Sequence, residues 1–478
     1  MTAAALSFPT IIQGGMGVGV SNWRLANAVA SLGELGVVSG TGIDTLFVRR
    51  LQDGDIGGHL RRAMERFPFP GVAEAALERY FRPHGRDEGE AYKVLPMYRQ
   101  IVSQARHQLT VLANFVEVEL AKEGHDGQVG LNLLTKIQLP NLGSLYGAML
   151  AGVDFVLMGA GIPREIPGVL DGLSRGEAVE MTLDVTGPGA GAPEKILFDP
   201  GKLCDGALPE VTRPAFLPIV ASNSLATMLA RKASGRVDGF VIEGPTAGGH
   251  NAPPRGLPVF NDRGEPQYGD RDVVDLDKIA ELGLPFWLAG GAGHPERLRA
   301  ARAAGAQGIQ VGTLFAYCDE SGLTAEHKQQ VATAALNGGV DVVTDGRASP
   351  TGFPFKAVQL EGTLSAEDVY GERGRVCDLG YLRNAYRNDR GKIAYRCASE
   401  PVDAFVKKGG DLQETEGRKC LCNALMANLG RGQTREDGST EATLYTAGDD
   451  LKLLAGFLGG RTSYTAADVV AYLRGGLA

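Results

Sequence analysis

Residues 239–254 read GFVIEGPTAGGHNAPP. A short apolar run, Phe240-Val241-Ile242, stops abruptly in a Gly-rich loop that holds one histidine, His250. A buried parallel strand looks like this where it delivers a loop to a functional face. Gly248 and Gly249 remove side chains just before the histidine, so the backbone can approach a flat ligand and the imidazole is the first group to reach it. The alternative is a Gly-rich surface turn with an incidental histidine, and the rest of the chain decides between the two.

Seven further apolar runs share the pattern: Thr10–Gln13, Leu35–Gly40, Val129–Leu133, Phe155–Met158, Leu217–Ala221, Phe286–Ala289 and Gly308–Val311. Most end in glycine, and helix-like segments separate them. Ser21 or Asn22 can cap the first helix, and Pro295 opens a late one. Eight such units predict a (β/α)8 barrel of the TIM type, with a doubly wound open sheet as the structural alternative. The barrel spans 1–345. Two stretches break its rhythm. Residues 45–126 are too long for one crossover and read as a helical insertion after the second strand. Residues 172–214 are rich in Gly and Pro and read as a second insertion or lid. Beyond 345 the rhythm stops, and 346–478 reads as a mostly helical C-terminal cap or extension.

Composition narrows the function. Lys plus Arg number 48 and Asp plus Glu 56, a net charge of −8 without basic runs. This argues against nucleic acid and anionic membrane as partners. No export signal and no span-length apolar stretch is read, so the six cysteines are expected as reduced thiols in the cytoplasm. A small-molecule substrate remains, and a homo-oligomer stays open.

A barrel carries its chemistry on the loops leaving the strand C-termini. The seventh and eighth strands end in Gly290-Gly291-Ala292-Gly293 and Gln310-Val311-Gly312-Thr313. Bare N–H groups beside helix N-termini make an anion site, and phosphate often lies there in barrels. No GxxxxGK[ST] loop points to a nucleoside triphosphate. Gln13-Gly14-Gly15-Met16, after the first strand, can bring backbone amides up to a ring system.

Taken in order, IIQGGMG, GLN, EGPTAGGHNAP, LAGGAG and QVGT on strands one, three, six, seven and eight resemble the FMN-dependent nitronate monooxygenases over roughly residues 8–325. The resemblance implies one non-covalent FMN. It places the phosphate on Gly290, Gly291, Gly312 and Thr313, with Gln310 nearby. It places the ring against Gln13, Gly14, Gly15 and Met16, with Asn132 and Gly248 as further contacts, and makes His250 the base or proton donor. The implied reaction oxidises an alkyl nitronate with O2 to a carbonyl compound and nitrite. One alternative is an NAD(P)H-dependent FMN reductase of enoyl thioesters or quinones. Another is a flavin-binding subunit whose tail docks a partner. The chain departs from the family pattern at Gly15, where Pro is usual, and at Glu243, where relatives commonly carry Gln seven residues before the histidine. A Glu243 carboxylate near the flavin would change ring electronics; the alternative is that it is turned away and paired.

The tail holds Cys377, Cys397, Cys420 and Cys422. Four thiolates suit structural zinc or an iron–sulfur cluster in number. Their C-x19-C-x22-C-x-C spacing lacks the CxxC knuckle, so no metal is assigned and buried thiols are the alternative.

Overall fold

The computed structural model describes residues 7–187, 193–203 and 206–475. Eight parallel strands are β1 Ile11–Gln13, β2 Gly36–Ser39, β3 Val129–Leu134, β4 Phe155–Gly159, β5 Ala215–Val220, β6 Phe240–Glu243, β7 Phe286–Ala289 and β8 Gly308–Val311. They coincide with the eight apolar runs, because strands buried on both faces have no polar alternation to blur them. Their order is β1-β8-β7-β6-β5-β4-β3-β2. The remaining seam closes through Leu35, whose N–H donates to Ile11 O at 3.1 Å while its carbonyl accepts from Gln13 N at 2.9 Å. The sheet is therefore a barrel. Ile12, Val37, Leu157, Leu217, Val241 and Trp287 are wholly buried and cluster together, as the filled interior of such a barrel requires.

The helices of the eight units are α1 Trp23–Ser31, α2 Gln104–Ala121, α3 Gln138–Leu150, α4 Ile166–Ser174, α5 Asn223–Lys232, α6 Leu276–Ala280, α7 Pro295–Ala303 and α8 Ala466–Arg474. Asn22 caps α1 by accepting from Leu25 N. The helical insertion after β2 is present as helices Ile43–Gln52, His59–Met64 and Pro70–Tyr80. Its last helix, α2, packs against α1 and α3 and is the crossover helix itself. The Gly/Pro-rich stretch forms a hairpin, Val179–Leu183 against Glu194–Phe198, packed on α3.

The C-terminal region differs most from expectation. α8 packs between α1 and α7, and Arg474 pairs with Glu34 at 3.1 Å. Glu34 also accepts from Thr10 and Ile11 N–H, so the end of the chain is tied to the start of β1. The last helix thus completes the eighth unit, and residues 313–465 are an excursion between β8 and its helix. Beyond residue 345 the excursion is less helical than the mostly helical extension expected from the sequence. Past residue 345 it carries strands Phe355–Gln359, Asn384–Arg387 and Ile393–Arg396 and four α-helices of five to seven residues. Met426, Leu429, Tyr445, Ala447 and Leu451 belong to the same buried cluster as the barrel's outer face. Among the described residues no helix is long and apolar enough to cross a membrane.

Gln13 reinforces the seam. Its Oε1 accepts from Val37 N at 3.0 Å, and its Nε2 donates to Gly14 O and Ser21 Oγ. Gln13→Leu should orphan the Val37 N–H and destabilise the chain by about 1–3 kcal/mol. A denaturant midpoint equal to that of the parent chain would show that the seam does not depend on this side chain.

Candidate active site

A cavity of about 520 Å3 opens at the C-terminal mouth of the barrel, with all eight strand ends contributing to its wall. The volume suits a cofactor-sized ligand. Gly14, Gly15, Met16, Asn132, Glu243, Gly248, His250, Gly290, Gly291, Gln310, Gly312 and Thr313 all line it. Gln13 does not line it, because its amide is spent on the seam one residue earlier. None of the described residues of the 179–198 hairpin lines it either.

Gly15 lies so close to Asn132 that a Cβ would sit 2.1 Å from the Asn132 Cβ. The first loop is thereby pressed against β3. Gly248 has a similar constraint on the other wall, where a Cβ would come within 2.7 Å of the Ala447 carbonyl carbon. Gly290 and Gly291 adopt φ of 90° and 62°, the left-handed region open to glycine. A Cβ at Gly312 would meet only Met16, at 3.7 Å. Gln310 presents a buried Oε1 with no partner among the described residues. An orphaned acceptor on a cavity wall is costly unless a ligand or water donates to it, and this is where the residues present fit a hydrogen-bond-donating group of a bound cofactor.

The excursion builds the remaining wall. Phe353, Phe355, Tyr381, Cys422, Tyr445 and Asp450 all line the cavity. Asp449 N donates to Thr246 O and Gly448 N to Thr313 Oγ1. The Asp450 carboxylate accepts from Thr313 Oγ1 at 2.6 Å and Gly293 N at 3.2 Å. Thr313 and Gly293 therefore spend donors on the tail that the sequence assigned to an anion, and the Thr313 hydroxyl is not free for one. His294, beside this cradle, caps α7 by accepting from Glu296 N.

His250 forms the short strand Gly249–His250, antiparallel to Phe355 and Lys356. Its ring meets Phe355 edge-on at 5.0 Å, and its Nε2 lies 2.7 Å from Ser349 Oγ. Burial, with the nearby Lys136 ammonium, pushes the imidazole well below its ordinary value, so it is neutral at pH 7. Burial raises the Glu243 carboxyl to about 7. Lys136, Ser349, Thr351 and Asp450 were not singled out by sequence motifs. Lys136 alone carries a usable signal, being a cation two residues past β3 on the barrel's functional face.

The four tail cysteines do converge. All line one void of about 10 Å3, and the Cys377 thiol is held below its ordinary value by a hydrogen bond from Cys397. Among the described residues, however, no group of three or more His, Cys, Asp or Glu side chains is placed to hold a metal ion. Cys204 lies outside the described residues.

Comparison with known proteins bears on the histidine side of the cavity. A probable nitronate monooxygenase of Bacillus subtilis (strain 168) is 36% identical over 98 residues, which is 20% of this chain and 26% of that protein. The match thus spans about a quarter of the curated relative. The solved structure of FabK from Thermotoga maritima is similar at 15% identity and a TM-score of 0.48, covering 98% of this chain and 93% of that one. A nitroalkane oxidase from Streptomyces ansochromogenes gives 15% and 0.47, with 98% and 96% covered. The nitronate monooxygenase family model matches residues 210–347. From β5 through β8, the part of the chain that carries His250 and both Gly-rich turns, this protein matches the nitronate monooxygenase family that its motifs resemble.

Proposed function

We propose that the cavity binds FMN and that the chain is an FMN-dependent oxidoreductase of the nitronate monooxygenase type. The reaction is oxidation of an alkyl nitronate by O2 to a carbonyl compound and nitrite. The observation that carries this reading is a neutral His250 and the unpartnered Gln310 Oε1 on the wall of one cofactor-sized cavity, inside the family-matched stretch. Gly290, Gly291, Gly312 and the Thr313 backbone would hold the phosphate. Gly14, Gly15, Met16, Asn132 and Gly248 would hold the ring, with Gln13 bracing the first loop from behind. When bound, FMN supplies the redox chemistry, and the protein contributes binding, orientation and electrostatics.

The chain's own contribution is proton handling. A nitroalkane becomes oxidisable once its α-carbon loses a proton, and a neutral imidazole is suited to take it. Ser349 engages Nε2, which leaves Nδ1 for a reactant. A second reading, an NAD(P)H-dependent FMN reductase of enoyl thioesters or quinones, draws on Arg255. This exposed cation lines the cavity and makes one side-chain hydrogen bond, to Ala221 O, leaving donors for an anionic nucleotide. Stopped-flow reduction by NADH against reduction by a nitronate separates the two.

Two outcomes test the main reading. The cofactor released by heat should be FMN and not FAD. Gly312→Leu, which the fold accommodates at Cβ but which fills part of the cavity, should purify without it. FAD, or no flavin after reconstitution of the parent chain, would overturn the assignment. His250→Asn should keep the flavin yet lose turnover of neutral nitroalkanes by about two to four orders of magnitude. Its loss on preformed nitronate should be smaller, since that substrate has already shed the proton. Equal losses on both would reduce His250 to a binding role.

A further inference from the structure

Behind His250 runs a chain of hydrogen-bonding groups that leaves the cavity. His250 Nε2 lies 2.7 Å from Ser349 Oγ, Ser349 Oγ lies 2.8 Å from Thr351 Oγ1, and Lys136 Nζ lies 3.3 Å from Thr351 Oγ1. Ser349 is fully buried, and its position is fixed by a further bond from Thr351 N to Oγ at 3.3 Å. The backbone is held as well, since Arg418 donates to Ser349 O. Lys136 lies over the Phe353 ring at 3.9 Å, and no carboxylate among the described residues pairs with it. The serine and threonine hydroxyls each carry one proton, so a row in which each of them both accepts and donates along the line points one way or the other.

We propose that Lys136, Thr351 and Ser349 form a positioning relay whose direction sets which ring nitrogen of His250 carries the proton. A charged Lys136 has only donors. It donates to Thr351, Thr351 to Ser349, and Ser349 to His250 Nε2. The imidazole proton then sits on Nδ1, and the nitrogen left to a reactant is not a base. A neutral Lys136 offers a lone pair. The row can reverse: His250 Nε2–H donates to Ser349, Ser349 to Thr351, and Thr351 to Nζ. Nδ1 is then bare and basic. Between the two states one proton passes from Lys136 to solvent and the imidazole proton relocates from Nδ1 to Nε2. Nothing is oxidised, and the ring stays neutral throughout.

The surroundings support a switch in this range. Burial lowers the Lys136 ammonium to about 7. α3, which follows it, carries no charged side chain. The other charged groups on the segments packed there include Arg418, which faces the Ser349 carbonyl, and the Asp345–Lys419, Lys356–Asp449 and Arg347–Glu416 pairs at 3.5, 2.6 and 3.4 Å, each already engaged by an opposite charge or a carbonyl. His250 itself faces the Lys136 cation across the relay and stays neutral, because burial and that cation both oppose its charging. The direction follows: base competence is absent below about pH 7 and gained as Lys136 deprotonates above it.

The role rests on His250 being the proton acceptor of the proposed reaction, but its test does not need turnover. The intact chain, labelled with 13C,15N-histidine, reports each ring's tautomer by NMR, and His250→Asn assigns the signal. The parent protein should change from Nδ1–H to Nε2–H with a midpoint near 7. Lys136→Met should hold Nε2–H at every pH, and Lys136→Arg, which keeps the charge, should hold Nδ1–H. Thr351→Val, nearly isosteric, should abolish the change without touching either end. A parent tautomer that does not vary with pH, or one that varies identically in Lys136→Met and Thr351→Val, would overturn the relay. Retained nitroalkane turnover in His250→Asn would instead overturn the catalytic reading and leave the tautomer result standing.

Discussion

The cavity's shape depends on one buried ion pair, Asp44 with Arg106, 2.7 Å apart and almost without solvent. Charges removed from water are tolerated only when they are paired and their remaining sites are hydrogen-bonded. Here the partners come from distant parts of the chain. Asp44 lies in the first insertion helix and Arg106 in α2. Tyr98, between them, donates to Asp44, and Tyr381 of the excursion donates to the same carboxylate and lines the cavity. Burial on its own would raise the Asp44 carboxyl, but Arg106 and the hydrogen bonds from Tyr381, Thr45 and Tyr98 hold it below its ordinary value. A carboxylate that every neighbour needs ionised fixes all of them in one arrangement, and Tyr381 is thereby set in the cavity wall.

That anchor explains how a long excursion between β8 and α8 can serve a barrel. A loop of this length pays a closure cost that grows only slowly with length, but its path must be held in place against itself and against the barrel. Three kinds of contact do so. Asp450 binds Thr313 and Gly293 at the cradle. Asn428 exchanges two hydrogen bonds with Leu444. Arg474 closes on Glu34 at the opposite end of β1. The excursion is part of the barrel's last unit, and the site is incomplete without it.

Much of this was legible in the sequence, for physical reasons that also explain the rest. The eight strands are buried on both faces and terminate at glycine, so they stand out as uninterrupted apolar runs. α8 is an ordinary amphipathic helix, and nothing within Ala466–Arg474 tells which strand it follows; that relation lives in the Arg474–Glu34 pair. The hairpin is readable from Val179, Met181 and Leu183 alternating with Glu180 and Thr182, but the Gly and Pro around it mask the period. Gln13 shows the limit for the site. Side chains alternate between faces along a strand, and a polar residue at a strand end reads equally well as facing a ligand or a seam. The relay was invisible because Ser349 and Thr351 lie past the last barrel strand, in a loop where no periodicity assigns them to a face.

The groups around the cavity share an electrostatic tendency. Burial drives Glu243 up, His250 down, Lys136 down and Asp450 up, each toward its neutral form. Desolvation disfavours charge of either sign, and it is the leading cause at each of the four. These four groups, pushed toward neutrality, offer little counter-charge to an anion held at the turns after β7 and β8. On the proposed reading, compensation there comes from fixed dipoles, the N–H groups at Gly291, Gly312 and the helix start at Thr313, which carry partial positive charge without titrating. Such a cradle is indifferent to pH, whereas proton transfer at His250 is governed by groups that titrate. On the proposed reading, ligand holding and proton handling are thus separated, the first on backbone after β7 and β8, the second on side chains between β3, the histidine loop and the excursion.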